Sequence, residues 1–496
     1  MHNEDLPQRD RAHAGLFNDP RMFGVLLLAL VLAIWNVFEG LWAKWLNAAL
    51  GHEDEFAAAG WSILTVLRVA LSVCFVWIVV RLPQPAKVQR SAAATGNKAK
   101  PAGPRGVDPL LVLRAVACWL VMTGHYFSGH FLLPSPAKTA SSVAKLLDAF
   151  SKVPSATGVW IFFTLSGYLM GKGFALGRYG LNAGGVRAFL RNRLLRIAPL
   201  YFASILLFAV FLQPSVFLPH GIWQLGLLST FSYRGDIPFN AVAVLWSVCT
   251  EVHFYLLVPF LFAVLRWLHR RTGRTFWLVP LALLVGLSVV RLYGGHLDML
   301  TLPWARQRDR LTTYSRLFYA PMLTNLDQFV CGMALNFTTP STIWRRLAKG
   351  GFAFAAICAA LYVCSVVMIH FADDRHYSVM TYMAFAPAIM AVMTAFAIRC
   401  SEQTHFAMTG WLSARLLRFG AWSGTLAYAL YVFHVQALAS LRHVFPVTEL
   451  TKAQAFGFFP VAMMLVYAVA TFFYRFVEEP FVLLKAVPDP PVTDAP

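Results

Sequence analysis

The sequence predicts an all-α polytopic membrane protein, a ten-helix body preceded by two further transmembrane helices, about 12 spans in all. Three observations predict it. Apolar runs long enough to cross a bilayer recur from end to end. Hydrophobic residues make up 58% of the 496 residues and charged residues only 13%, about half the charge of an ordinary soluble domain. The basic residues gather in short stretches between the runs, as cytoplasmic loops of membrane proteins do. The net charge of +19 therefore points to anionic lipid rather than to nucleic acid.

The elements follow in order. Runs near 22–43 and 61–81 make an N-terminal hairpin within residues 1–81. Residues 82–108, rich in Pro, Ala, Gly, Lys and Arg, cannot form a core and read as a basic cytoplasmic linker. Ten runs then fall near 109–128, 154–173, 195–213, 241–265, 276–293, 317–338, 351–371, 379–398, 421–441 and 456–476. They form the body, 109–485, and 486–496 is a tail. The first run follows basic residues, as a signal peptide does, but it is long, lacks a small-x-small cleavage site and is soon followed by a second span. An uncleaved anchor is the better reading. The seven cysteines (Cys74, Cys118, Cys249, Cys331, Cys358, Cys364 and Cys400) have no metal-type spacing and read as packing residues.

Positive loops set the orientation. Arg9, Arg11 and Arg21 place the N-terminus inside, Glu53, Asp54 and Glu55 lie outside, and Lys87 to Arg105 lie inside. Arg178 to Arg196, Arg266 to Arg274, Arg345 to Lys349, and Arg399 to Arg418 fall inside in turn. The C-terminus is then inside as well, which suits a multi-pass protein of the inner (plasma) membrane. Residues 291–316, basic yet assigned to an outer loop, are the exception.

Charges inside the apolar runs are costly to keep, so they mark candidate functional residues. Arg114 and His125 are eleven positions apart, which returns to nearly the same face of a helix roughly 16 Å further along. Glu251, Asp327 and His434 fall at a similar depth on three other helices. Four ionisable groups in one layer must pair or line a polar cavity, although any single membrane histidine commonly serves as an interhelical hydrogen bond. Arg187, Arg191, Arg193 and Arg196 crowd the start of the fifth span. Charge alone reads them as membrane anchors; as guanidinium forks they also suit a phosphate clamp, with Arg114 at the same membrane face.

Six pieces in order carry a family resemblance: Arg114-x10-His125; the Phe-Phe-Thr-Leu-Ser-Gly-Tyr-Leu run at 162–169; Arg191-Asn-Arg193-x-x-Arg196-Ile-x-Pro199; Trp246-Ser247-x3-Glu251-x2-Phe254-Tyr255; Tyr431-x2-His434; and Tyr474-Arg475-x2-Glu478-x-Pro480. Over about 109–485 the chain resembles the acyltransferase family 3 membrane proteins. The resemblance implies an integral-membrane O-acyltransferase. Such a protein moves an acyl group, commonly acetyl, from cytosolic acyl-coenzyme A to a hydroxyl of a surface glycan or glycolipid acceptor, a polysaccharide modification by O-acetylation. It implies no tightly bound cofactor or metal, with acyl-coenzyme A as co-substrate. Carried over by position, it marks His125 and Glu251 as catalytic and Arg114, Arg193, Arg196 and Arg191 as donor-binding. In the mechanism expected, His125 is general base and Glu251 orients it; a covalent acyl-His125 is the less favoured variant. His434 and Asp327 stand as acceptor or supporting residues. Many relatives carry a second acidic residue where this chain has Val252, which counts against a carboxylate pair. The alternative of another class is a secondary transporter of a polar or anionic solute; against it, the sequence shows no repeat and no matched Gly/Pro-broken helices.

Overall fold

The computed structural model describes residues 107–130, 154–207, 243–301, 318–339, 346, 351–371, 376–402, 411–444 and 452–485. The N-terminal hairpin, most of the linker and the tail lie outside them. Among the described residues every element is helical and no strand occurs. In chain order these are α1 (Pro109–Gly124), α2 (Ser155–Ala175), α3 (Ala183–Leu207), α4 (Trp246–Thr272), α5 (Leu278–Thr301), α6 (Leu326–Ala334), α7 (Phe352–Phe371), α8 (His376–Ser401), α9 (Trp411–Thr425), α10 (Ala427–Val444) and α11 (Lys452–Phe473). Four segments are long and apolar enough to cross a membrane: Pro109–Phe127, Trp246–Gly294, Tyr382–Ser401 and Gln454–Val482.

Local chemistry sets the ends that matter for the site. Asp108 caps α1 through its side chain, accepting from the Leu110 amide at 2.9 Å, and Pro109 occupies the first turn, where its missing N–H costs nothing. The helix does not run on regularly to 128. At His125 it widens into a π-helical turn, His125–His130, a local form that often marks functional sites. A second π-turn, Tyr474–Glu478, ends α11. The helix α3 begins at Ala183, twelve residues before the expected span, so the arginine cluster sits on the helix itself rather than in a loop. The eighth expected span, 317–338, is a short helix, α6, with a 3-10 turn at each end.

Small residues let the central helices touch backbone to backbone, as membrane bundles require. A methyl added at Gly332 of α6 would stand 1.9 Å from the Thr164 carbonyl of α2. One at Gly167 of α2 would stand 2.0 Å from the Phe329 carbonyl of α6. Beside this seam lies the most buried ion pair. Asp327 of α6 takes both Arg291 terminal nitrogens, at 2.8 and 3.2 Å, and both side chains are essentially inaccessible. The same guanidinium donates to the carbonyls of Thr324 at 2.6 Å and Ala384 of α8 at 3.2 Å, so one residue ties α5, α6 and α8 together.

This pair corrects two expectations. Arg291 is not part of an outer loop; it lies within α5, and α5 continues to Thr301, which removes the start of the basic segment that broke the charge rule. Asp327 is committed to Arg291 and acts as a structural counter-charge, not as part of a layer with the histidines. Its burial explains why: an unpaired carboxylate at that depth would be far costlier than one shared with a guanidinium.

Two stability outcomes follow. Gly332→Ala lowers the stability of the detergent-solubilised protein by about 1–3 kcal/mol, whereas Gly286→Ala, where an added methyl meets nothing within 4 Å, leaves the thermal midpoint unchanged. Asp327→Asn costs about 3–5 kcal/mol because it leaves Arg291 buried without its counter-charge; equal midpoints for this variant and the parent would contradict that account.

Candidate functional site

Five helices close on one cavity of about 110 Å³, several times the roughly 10–15 Å³ that a single water needs. Its charged lining is Arg114 from α1, Arg193 and Arg196 from α3, and Glu251 from α4. The remaining wall is largely apolar, with polar hydroxyls from Ser166 of α2, Ser247 and Tyr255 of α4, and Tyr428 and Tyr431 of α10. Arg193 and Arg196, three apart on a helix, point to the same side. Arg191, two residues earlier, does not. It is exposed and lines, with Arg187 and Arg193, a neighbouring groove of about 570 Å³ between α3 and α4. The expected four-arginine cluster is therefore three in the cavity and one in the groove. Arg193, Ile197 and Tyr255 line both spaces.

The charges in and around the cavity do not cancel within the protein. Glu251 Oε1 accepts hydrogen bonds from Ser166 and Tyr255, each at 2.6 Å. Arg196 pairs with Glu478, a carboxylate buried in the π-turn after α11. Among the described residues neither Arg114 nor Arg193 forms an ion pair, and the buried Arg193 Nε has no hydrogen-bond partner; the guanidinium rests over the Phe189 ring at 5.7 Å. Lys485, just beyond the last span, adds a fourth cation. Burial first, then the nearby charges of Arg196 and Arg193, depresses its ammonium to about 8, against the pull of Glu478. Cations outnumber carboxylates, so the cavity is built for an anion.

The histidines lie further along the same two helices. His125 Nδ1 and His434 Nε2 are 2.9 Å apart, and the rings sit 5.0 Å apart, centroid to centroid. His434 is fully buried and His125 half-buried. Cys118 Sγ lies 3.7 Å from the Ala427 carbonyl, so α1 and α10 run side by side in the same direction. Arg114 and His125 on one helix face Tyr428, Tyr431 and His434 on the other. Tyr431 links the halves. Its ring lines the cavity, its hydroxyl meets Ser247 Oγ at 2.5 Å and donates to the Val244 carbonyl at 3.0 Å, and its own carbonyl lies 2.7 Å from His434 Nδ1.

One expected contact is replaced. Glu251 was expected to orient His125; the hydrogen-bond partner the structure gives His125 is His434, and Glu251 is held by Ser166 and Tyr255 among the arginines. The cause is depth: Glu251 stands at the level of Arg114, not of His125. The sequence reading assigned no role to Ser166, Tyr255, Glu478 or Lys485. Tyr255 was legible as the i+4 neighbour of Glu251, and Glu478 stood in a quoted motif without a partner. Nothing local announced Ser166 or Lys485. Among the described residues no three His, Cys, Asp or Glu side chains gather as metal ligands.

The comparisons with known proteins come to one match. A family model described as an acyltransferase domain, the acyltransferase 3 family, matches residues 110–475. No curated protein and no solved structure matches the chain.

Proposed function

The chain belongs to acyltransferase family 3, and from that premise we propose that it is a membrane O-acyltransferase that moves an acyl group, acetyl foremost, from cytosolic acyl-coenzyme A to a hydroxyl of a cell-surface glycan or related carbohydrate or glycolipid acceptor. The observation that carries the reading is the cavity itself: Arg114 and Arg193 unpaired beside Arg196, at one end of two helices whose other end holds the His125–His434 pair. A transporter needs no such separation between an anion site and a base. In this reading the protein spans the inner membrane about twelve times with both termini in the cytosol, which puts the arginine end at the cytosolic face.

Arg114, Arg193 and Arg196 hold donor phosphates, and Arg191, with Arg187, receives the outer part of the nucleotide at the groove. Guanidinium forks suit phosphate oxygens, and a dry wall strengthens each contact. Glu251 keeps the cations from repelling one another and holds the Ser166 and Tyr255 hydroxyls along the path of the pantetheine arm. That arm spans the roughly 16 Å that eleven helical residues rise and brings the thioester to His125. His125 accepts the proton of the acceptor hydroxyl as its oxygen bonds to the thioester carbon. The carbon–sulfur bond breaks, the proton passes from His125 to the departing thiolate, and coenzyme A leaves as the thiol. The imidazole returns to its starting state.

Purified His125→Ala is expected to lose transfer of label from [14C]acetyl-coenzyme A to an envelope glycan extract by at least about 100-fold, while it still binds coenzyme A. Arg193→Glu/Arg196→Glu is expected to lose coenzyme A binding by more than 100-fold, and normal binding in that variant removes the clamp. Lys485 adds a pH dependence. Its ammonium is charged below about 8 and neutral above, so affinity for coenzyme A weakens as pH rises through 8. In Lys485→Met that step disappears; a step of unchanged size would exclude Lys485 from the anion site.

A further inference from the structure

We infer that His434 is a positioning residue that fixes Nε2 of His125 as the atom that takes the proton. The inference rests on the reading above, in which His125 is the base, and it settles which nitrogen acts and what holds it ready.

The argument runs from the buried end outward. His434 Nδ1 lies 2.7 Å from the Tyr431 carbonyl and 3.2 Å from the Leu430 carbonyl. Carbonyl oxygens only accept, so Nδ1 carries a hydrogen. In the neutral imidazole the other nitrogen, Nε2, is then an acceptor. It faces His125 Nδ1 at 2.9 Å, so that nitrogen is the donor. The neutral ring of His125 must therefore hold its lone pair at Nε2. The opposite tautomer of His125 would set two lone pairs against each other across 2.9 Å, with one of the two rings fully buried, where unmade hydrogen bonds are costly.

The arrangement persists through the proton transfer. When Nε2 of His125 gains the hydroxyl proton, Nδ1–H still donates to His434, now as a charge-assisted bond and a stronger one. His434 needs no proton of its own at any step. A carboxylate performs this office in the usual triad; here a neutral ring does, and its anchor is in turn held by Ser247 and the Val244 carbonyl through the Tyr431 hydroxyl. The closing of α4 and α10 around Tyr431 thus sets the tautomer of a residue on α1.

The test compares His434→Met, which removes the acceptor, with His434→Gln, whose amide oxygen replaces Nε2 as acceptor. Transfer is read from [14C]acetyl-coenzyme A to the glycan extract, with the tautomer of His125 read independently by 15N shifts of histidine-labelled protein in lipid nanodiscs. Signals are assigned by difference from His125→Ala. The expected results are a His125 protonated at Nδ1 in the parent, kcat lower by about 10–100-fold in His434→Met with KM for acetyl-coenzyme A unchanged, and recovery of at least tenfold in His434→Gln. A merely structural role predicts equal losses in the two variants. Parent-like kcat in a folded His434→Met, no advantage for Gln over Met, or a parent His125 protonated at Nε2 would each overturn the inference. Where His434→Met does not fold, the parent tautomer and the kcat of His434→Gln decide. Full transfer by His125→Ala would remove the base instead, a separate outcome that the 15N measurement does not depend on.

Discussion

A charge within a helical membrane bundle must be answered by another group, because neither lipid nor packed protein solvates it. This constraint organises the described core. Arg291 is answered by Asp327 and three helices are joined. Arg196 is answered by Glu478 and the end of α11 is drawn against α3. Glu251 is answered by two hydroxyls, and each histidine by the other. Arg114 and Arg193 are the guanidinia these pairings leave over at the cavity. Where a bundle leaves cations over in this way, the missing partner is a ligand.

The pairings separate support from function. Arg291 and Asp327 satisfy each other and two backbone carbonyls, and that closure makes them structural. The histidines are satisfied on the buried side by the backbone and on the other side by one another, which leaves the outer ring half-exposed. Burial is graded along the chain of bonds from the Val244 carbonyl through Tyr431 and His434 to His125. Rigidity at the buried end and access at the outer end are what a proton-transfer site needs.

Much of this was legible in the sequence. The body spans appeared as apolar runs at nearly their observed places, and the Arg114–His125 spacing put two costly groups on one stripe of one helix. Spacing also placed Arg193 with Arg196. The rest was hidden because depth along a helix does not name a neighbour. Glu251, Asp327, His125 and His434 fall at similar inferred depths, yet only the two histidines meet. Asp327 was claimed by Arg291, which the charge rule had assigned to a loop, and Glu251 by hydroxyls that carry no charge signal. Lys485 was read as a boundary residue because its environment comes from residues nearly three hundred positions away. The Tyr474-Arg475-x2-Glu478 run shows the limit well. The motif was visible as letters, while its role depended on the π-turn that turns Glu478 inward to Arg196.

The π-turn at His125 has a consequence for how such a site changes over time. A π-turn has the form of an α-helix with one residue inserted. Residues before the insertion keep their face, while those from it onward are re-aimed. Arg114 and His125 share a helix, yet the widened turn uncouples them: the anion-binding end can hold its register against α3 while the imidazole end is rotated to suit a different acceptor. One insertion or deletion there acts as a vernier between the two halves of the reaction, so relatives that keep the same donor grip can diverge in what they modify.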